Sequence, residues 1–131
     1  NLMKKNFLIV SANYYKDISK GLLQSAKNNL PKSNIIKIIN VPGVFEIPIT
    51  ISKNIKKYDG FLALGCVIKG QTPHFDFISR SSTDAIMTLA IENKKPIGNG
   101  IITCLNMKQA TARKKKGREA AEAVVSVLSQ K

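Results

Sequence analysis

The chain carries a single histidine, His74, within "GCVIKGQTPHFD" (residues 65–76), four residues after Gly70 and directly after Pro73. An imidazole with an ordinary pKa near ~6.5 can move protons at neutral pH. The residues before it add a second chemistry. Thr72 followed by Pro73 has the form of a helix N-cap and first helical position, so the amides of Gly70, Gln71 and Thr72 should point out of a helix N-terminus, where an anion is favoured. A lone histidine is usually structural. One at a strand-to-helix turn beside an anion site can act as a proton carrier.

Two other short stretches hold unusual residue types. In "SANYY" (residues 11–15) an exposed Tyr14 or Tyr15 ring could stack on a planar ligand, or simply pack over a helix end. In "VPGVFEIP" (residues 41–48) Gly43 allows close backbone approach. Glu46 falls in a first helical turn, where its charge complements the dipole whatever else it does. The two cysteines, Cys66 and Cys104, are too few for a disulfide scaffold, and with one histidine they make no ordinary four-ligand zinc site. Both read as reduced, half-buried small residues.

These stretches need elements to position them. "FLIV" (Phe7–Val10) is a short apolar run ended by polar residues near Ser11, as expected of a strand buried on both faces. Ile18, Leu22, Leu23 and Ala26 recur at helical spacing between Asp17 and Asn29, and Leu30-Pro31 stops that helix. "IIKII" (Ile35–Ile39) is a second strand. Val44, Ile47, Ile51 and Ile55 form one helical stripe, with Pro48 early enough to be tolerated. "GFLALGCVI" (residues 60–68) is the third strand. Phe75 to Ile91 follows as a helix with Ile78, Ala85, Ile86, Leu89 and Ala90 inward, then "PIGNGIIT" (residues 96–103) as a fourth strand. From Met107 onward the pattern gives one broken or two short helices, with Gly117 at the break.

The order βαβαβαβα predicts a parallel sheet covered on both faces, an α/β, flavodoxin-like three-layer αβα sandwich with a four-stranded parallel sheet. Ligands of such sheets bind beyond the carboxyl ends of the strands. That rule sends the functional residues to "SANYY", "VPGVFE", "KGQTPH" and "TCLNM". With 131 residues and no linker-like stretch, residues 1–131 are expected to form a single domain. No apolar run reaches eighteen residues and the start does not read as a signal peptide, so a cytoplasmic, non-membrane protein is expected. The formal net charge is +13, which by itself suggests a polyanion partner. Against that, 18 of the 21 basic residues are lysines scattered along the chain, and no aromatic-interleaved basic strand is present, so no specific nucleic acid is expected. The dense "RKKK" of Arg113–Lys116 is of a kind more often solvated than functional.

"VPGVFEIP" together with "ALGCVIKGQTPHFD" (residues 63–76), and with "PIGNGIIT" and "QATAR" (residues 109–113), resembles the 6,7-dimethyl-8-ribityllumazine synthase family of riboflavin biosynthesis, from Phe7 to the C-terminus. The resemblance implies a transferase-type condensing enzyme. It would join 5-amino-6-(D-ribitylamino)uracil to 3,4-dihydroxy-2-butanone 4-phosphate, releasing phosphate and water without a metal or organic cofactor. It places the stacking aromatic at Tyr14, where the family more often has Phe or Trp. The ribityl chain would be held by the Val44 and Phe45 backbone and by Glu46, and the pyrimidine edge by the backbone around Val67 and Ile68. Gln71 and Thr72 match the phosphate-binding turn, His74 the proton carrier, and Arg113 the arginine that grips the phosphate from a neighbouring subunit together with the residue at Asn99. Asn99 lies in a "GNG" pattern, so no stacking ring is expected on that side. The resemblance also implies a homopentamer or a multiple of pentamers with intersubunit sites, and riboflavin synthase as a candidate partner. One departure is plain: only Lys114 and Lys115 separate Arg113 from Lys116-Gly117, where the family usually has several more residues, so Lys116 is a poor match for a second phosphate contact. The competing expectations are a basic polyanion-binding α/β module and a non-catalytic flavin binder.

Overall fold

Two of the four apolar runs are apolar at every position because both of their faces are covered. In the computed structural model, which describes residues 4–32, 35–70 and 74–130, β1 (Asn6–Ala12) and β3 (Gly60–Ile68) are buried along nearly their whole length. They lie side by side in the middle of an all-parallel sheet of order β2-β1-β3-β4. β2 (Ile35–Val41) and β4 (Ile97–Cys104) form the edges. Edge position is visible in β4 as alternation of covered and open residues, whereas β2 is as apolar as a central strand and yet leaves Ile35 exposed.

The helices divide between the faces. α1 (Lys16–Lys27) and α5 (Gly117–Leu128) set Ile18, Leu22, Ala26, Ala120, Ala121 and Val124 against Phe7, Ile9, Leu62 and Leu64. On the other face a 3-10 turn (Val44–Glu46) and α2 (Ile47–Asn54) bring Val44, Ile47 and Ile51 onto Leu8, Val10, Phe61 and Ala63. There α3 (His74–Asn93) adds Ile86. Each fully buried Leu, Ile or Phe side chain contributes about 1.5–3 kcal/mol relative to exposure. A four-stranded parallel sheet between two helical layers is the expected flavodoxin-like three-layer sandwich. Among the described residues no helix is long and apolar enough to cross a membrane.

Several boundaries differ from the sequence reading. Within the described residues α3 spans His74–Asn93, so the imidazole is on the helix and not on a turn ahead of it. Its far end closes with Lys94 in the left-handed region (φ 53°), a conformation that no glycine announces. On α3 only Ser82 and Ile86 are fully buried; Ile78, Ala85, Leu89 and Ala90 are half-buried. One helix face resting on α2 and the sheet cannot cover them all. The C-terminal segment is two helices. α4 (Met107–Ala112) and α5 are joined by a closed turn in which Lys116 N–H donates to the Arg113 carbonyl (3.0 Å) and Arg118 N–H to that of Lys115 (3.3 Å).

Candidate active site

The strand order reverses between β1 and β3: from this pair the sheet grows outward to β2 on one side and β4 on the other. Beyond the carboxyl ends of adjacent strands at such a reversal, the loops part and leave a crevice. A cavity of about 370 Å³ occupies it, lined by Tyr14, Tyr15, Gly43, Val44, Phe45, Cys66, Val67, Ile68, His74 and Ile78.

Each wall is fixed by local physics. After β1, the buried Ser19 hydroxyl donates to the carbonyls of Ala12 (2.7 Å) and Tyr15 (3.0 Å), tying the first turn of α1 to the strand end. Asn13 N–H continues the ladder to the Val41 carbonyl (3.0 Å). The two tyrosines between them meet edge to face, ring centroids 4.9 Å apart, and leave Tyr14 75% exposed. After β2, Val44 drops into the core over Gly65, where an added Cβ would stand 2.7 Å from Val44 Cγ2. That close approach turns Phe45 outward, 70% exposed. The backbone of Gly43 is extended (φ −149°), a conformation open to any residue; a side chain there would instead meet the Glu46 carboxylate at 3.3 Å. After β3, Lys69 N–H donates to the Cys104 carbonyl (2.9 Å), continuing the ladder to the strand end where Val67 and Ile68 line the cavity.

The electrostatics exclude a thiol nucleophile. Burial, followed by the adjacent Cys104 thiol, pushes the Cys66 thiol up to about 12, so it stays protonated at neutral pH. Burial, then Cys66 and Tyr14, raise the Tyr15 phenol above its ordinary value. Both cysteines are free and buried, more deeply than expected for half-buried residues. Among the described residues no group of three or more His, Cys, Asp or Glu side chains is placed to hold a metal.

Of the residues singled out in the sequence, Tyr14, Val44, Phe45, Val67, Ile68 and His74 meet in this one cavity. Glu46 does not. It lines an adjoining groove of about 360 Å³ between α2 and α3 with Phe45, Ile49 and Ile78, and Phe45 and Ile78 form the wall shared with the His74 cavity. Asn99 and Arg113 lie apart from both, in a cavity of about 250 Å³ along β4 that also takes Thr103, Lys116 and Glu119. There Arg113 Nη1 donates to the Thr103 carbonyl (3.3 Å), and Asn99 Oδ1 accepts from Ile101 N–H (3.0 Å). Of "TCLNM", therefore, only Thr103 reaches a site, and not that of His74. Gln71 and Thr72, assigned to the phosphate turn, lie outside the described residues. Sequence reasoning missed Cys66 and Ile78 as lining residues, because both also serve the core and carry no polar signal.

The family profile described as 6,7-dimethyl-8-ribityllumazine synthase matches residues 4–131. The protein of that name from Agrobacterium fabrum is 41% identical over 143 residues, covering 99% of this chain and 97% of the relative. Those from Bartonella bacilliformis and Bartonella henselae are 43% and 44% identical, over 96% and 98% of this chain and 90% and 89% of theirs. With a family profile spanning nearly every residue and relatives of this identity end to end, the chain belongs to the 6,7-dimethyl-8-ribityllumazine synthase family.

Proposed function

We propose that the crevice between β1 and β3 is where the chain performs the reaction of its family. The activity itself follows from the family: 5-amino-6-(D-ribitylamino)uracil condenses with 3,4-dihydroxy-2-butanone 4-phosphate to 6,7-dimethyl-8-ribityllumazine, with release of phosphate and water, in riboflavin biosynthesis. The observation that carries the placement is the convergence of Tyr14, Phe45 and His74, from three separate loops, on one cavity at the sheet's reversal.

In this reading the pyrimidine lies against the exposed Tyr14 ring, its edge bonded by backbone groups at Val67 and Ile68. The ribityl chain runs past the Val44 and Phe45 backbone toward Glu46, whose groove adjoins the cavity through Phe45. An amine of the pyrimidine attacks the ketone, and loss of water gives an imine. Removal of the proton from the carbon next to the imine expels phosphate from the carbon beyond it, and the resulting enol takes up a proton there to become a ketone. Attack of the second amine on that ketone, with loss of a second water, closes the ring. His74 takes and returns these protons, and Gln71, Thr72 and Arg113 hold the departing phosphate. Positioning can supply about 7–11 kcal/mol of the barrier. A proton carrier adds roughly 10² to 10⁴ in rate.

In this reading the complete site takes His74 from one subunit and Arg113 from the next, and the separation of the Asn99–Arg113 cavity from that of His74 within one chain supports it. The protein is thus proposed to be a cytoplasmic homopentamer or multiple of pentamers, one domain over residues 1–131, that hands its product to riboflavin synthase. Mixing the two substrates with the purified oligomer should yield the fluorescent lumazine. Absence of product at every concentration where the protein is oligomeric would overturn the placement.

A further inference from the structure

A cavity larger than that of the candidate active site is also present among the described residues. It lies on the opposite helical layer, about 710 Å³ between α1 and the turn joining α4 to α5, and the family resemblance gives it no role. Its charged lining is one-sided. Lys20 comes from α1, Lys114 and Lys115 from the turn, and Arg118 from the start of α5, against a single carboxylate, Asp17. Among the described residues Lys20, Lys114 and Lys115 have no ion-pair partner; Arg118 shares its Nε–H with the exposed Glu122 (3.2 Å).

Like charges are held together here by packing. At Gly21 an added Cβ would stand 2.9 Å from Lys114 Cγ, so the missing side chain on α1 is what lets the aliphatic stem of Lys114 lie across the helix. Gly117 brings α5 equally close, since a Cβ there would overlap the Leu22 carbonyl. The short link between Arg113 and Gly117 thus sets Lys114 against α1, and Lys115, exposed beside it, lines the same cavity. Four cations set around one carboxylate make a field that favours an added anion. The side-chain amides of Gln24 and Asn28, with no hydrogen-bond partner among the described residues, add neutral donors to the wall.

We propose that this cavity binds a small ligand carrying two or more phosphate groups. Its volume lies within the roughly 300–1,000 Å³ usual for small-molecule sites, and cations on both walls suit bridging phosphates more than a single one.

Titration calorimetry of the assembled protein with pyrophosphate and with ADP at low ionic strength tests this. Saturable binding of one ligand per chain is expected, with inorganic monophosphate clearly weaker. In Lys20→Ala/Lys115→Ala that binding should weaken about tenfold or more while lumazine formation and assembly are kept. The charge-matched Lys53→Ala/Lys56→Ala variant, on α2 and its end, should bind as the parent does. The proposal fails if no saturable binding occurs, or if Arg113→Ala abolishes binding while Lys20→Ala/Lys115→Ala leaves it intact. It also fails if a single-stranded oligonucleotide binds through the same lysines much more tightly than ADP.

Discussion

His74 heads α3 and lines the crevice between two exposed aromatic rings, so its imidazole is placed where a condensing pair of small molecules would meet. His74→Ala should lower kcat about 10²-fold or more, with the sedimentation profile unchanged, because it removes proton transfer and little packing. Loss of assembly with activity per oligomer preserved would return the residue to a structural role. Cys66 shares the cavity but cannot serve as a nucleophile, since burial and the Cys104 thiol hold it protonated up to about 12. Iodoacetamide at pH 8 should leave the native thiol untouched and label it after unfolding. The same shift has a signed consequence for stability. Below the thiol's ordinary value of 9.0, folded and unfolded chains are both protonated and Cys66 adds no pH dependence. Between 9.0 and about 12 the unfolded chain releases a proton that the native one retains, so stability falls as pH rises. Comparing urea midpoints across that range, Cys66→Ala should show the shallower alkaline slope, and parallel slopes would contradict the assignment.

At the scale of elements, much of this was legible from runs and breaks. Continuous apolar stretches marked β1 and β3 because both of their faces are buried, and the Val44, Ile47, Ile51 stripe marked α2 because its core side repeats at helical spacing. Strand order was not legible: "IIKII" looks central but pairs along one edge only, since pairing is decided by partners far away in sequence. The site followed the same division. Residues on loops at the carboxyl edge could be named from topology, whereas the separation of Asn99 and Arg113 from His74 depends on which side of β4 they occupy, and no spacing encodes that. Gly117 was readable as a break in a helical pattern, but its reason is tertiary. It opens α5 against α1, where a Cβ would run into the Leu22 carbonyl, a backbone atom unable to move aside alone. Gly117→Ala should therefore destabilise the fold by about 1–3 kcal/mol through overpacking, despite alanine's better helix propensity. A urea midpoint equal to or above the parent's would mean that the α1–α5 contact yields freely.

At the scale of the whole molecule the two helical layers are unlike. Phe45, Ile49, Phe77, Met87 and Ile91 are all large, apolar and exposed, and all sit on the layer of α2 and α3, whereas α1 and α5 expose only Val127 of that kind. Exposed apolar groups gathered on one side favour association through that side. A ring of subunits joined head to tail would set one subunit's β4 edge against the next subunit's crevice, uniting Arg113 and Asn99 with His74. The division of labour can be read directly by mixing two inactive proteins. His74→Ala and Arg113→Ala should each be nearly inactive alone. Unfolded together and reassembled at equal ratio, they should recover about a quarter of the parental activity, because half the subunits supply a sound His74 and half of their neighbours a sound Arg113. If both residues worked within one chain, every site in the mixture would still carry a lesion and activity would stay at the level of the separate variants.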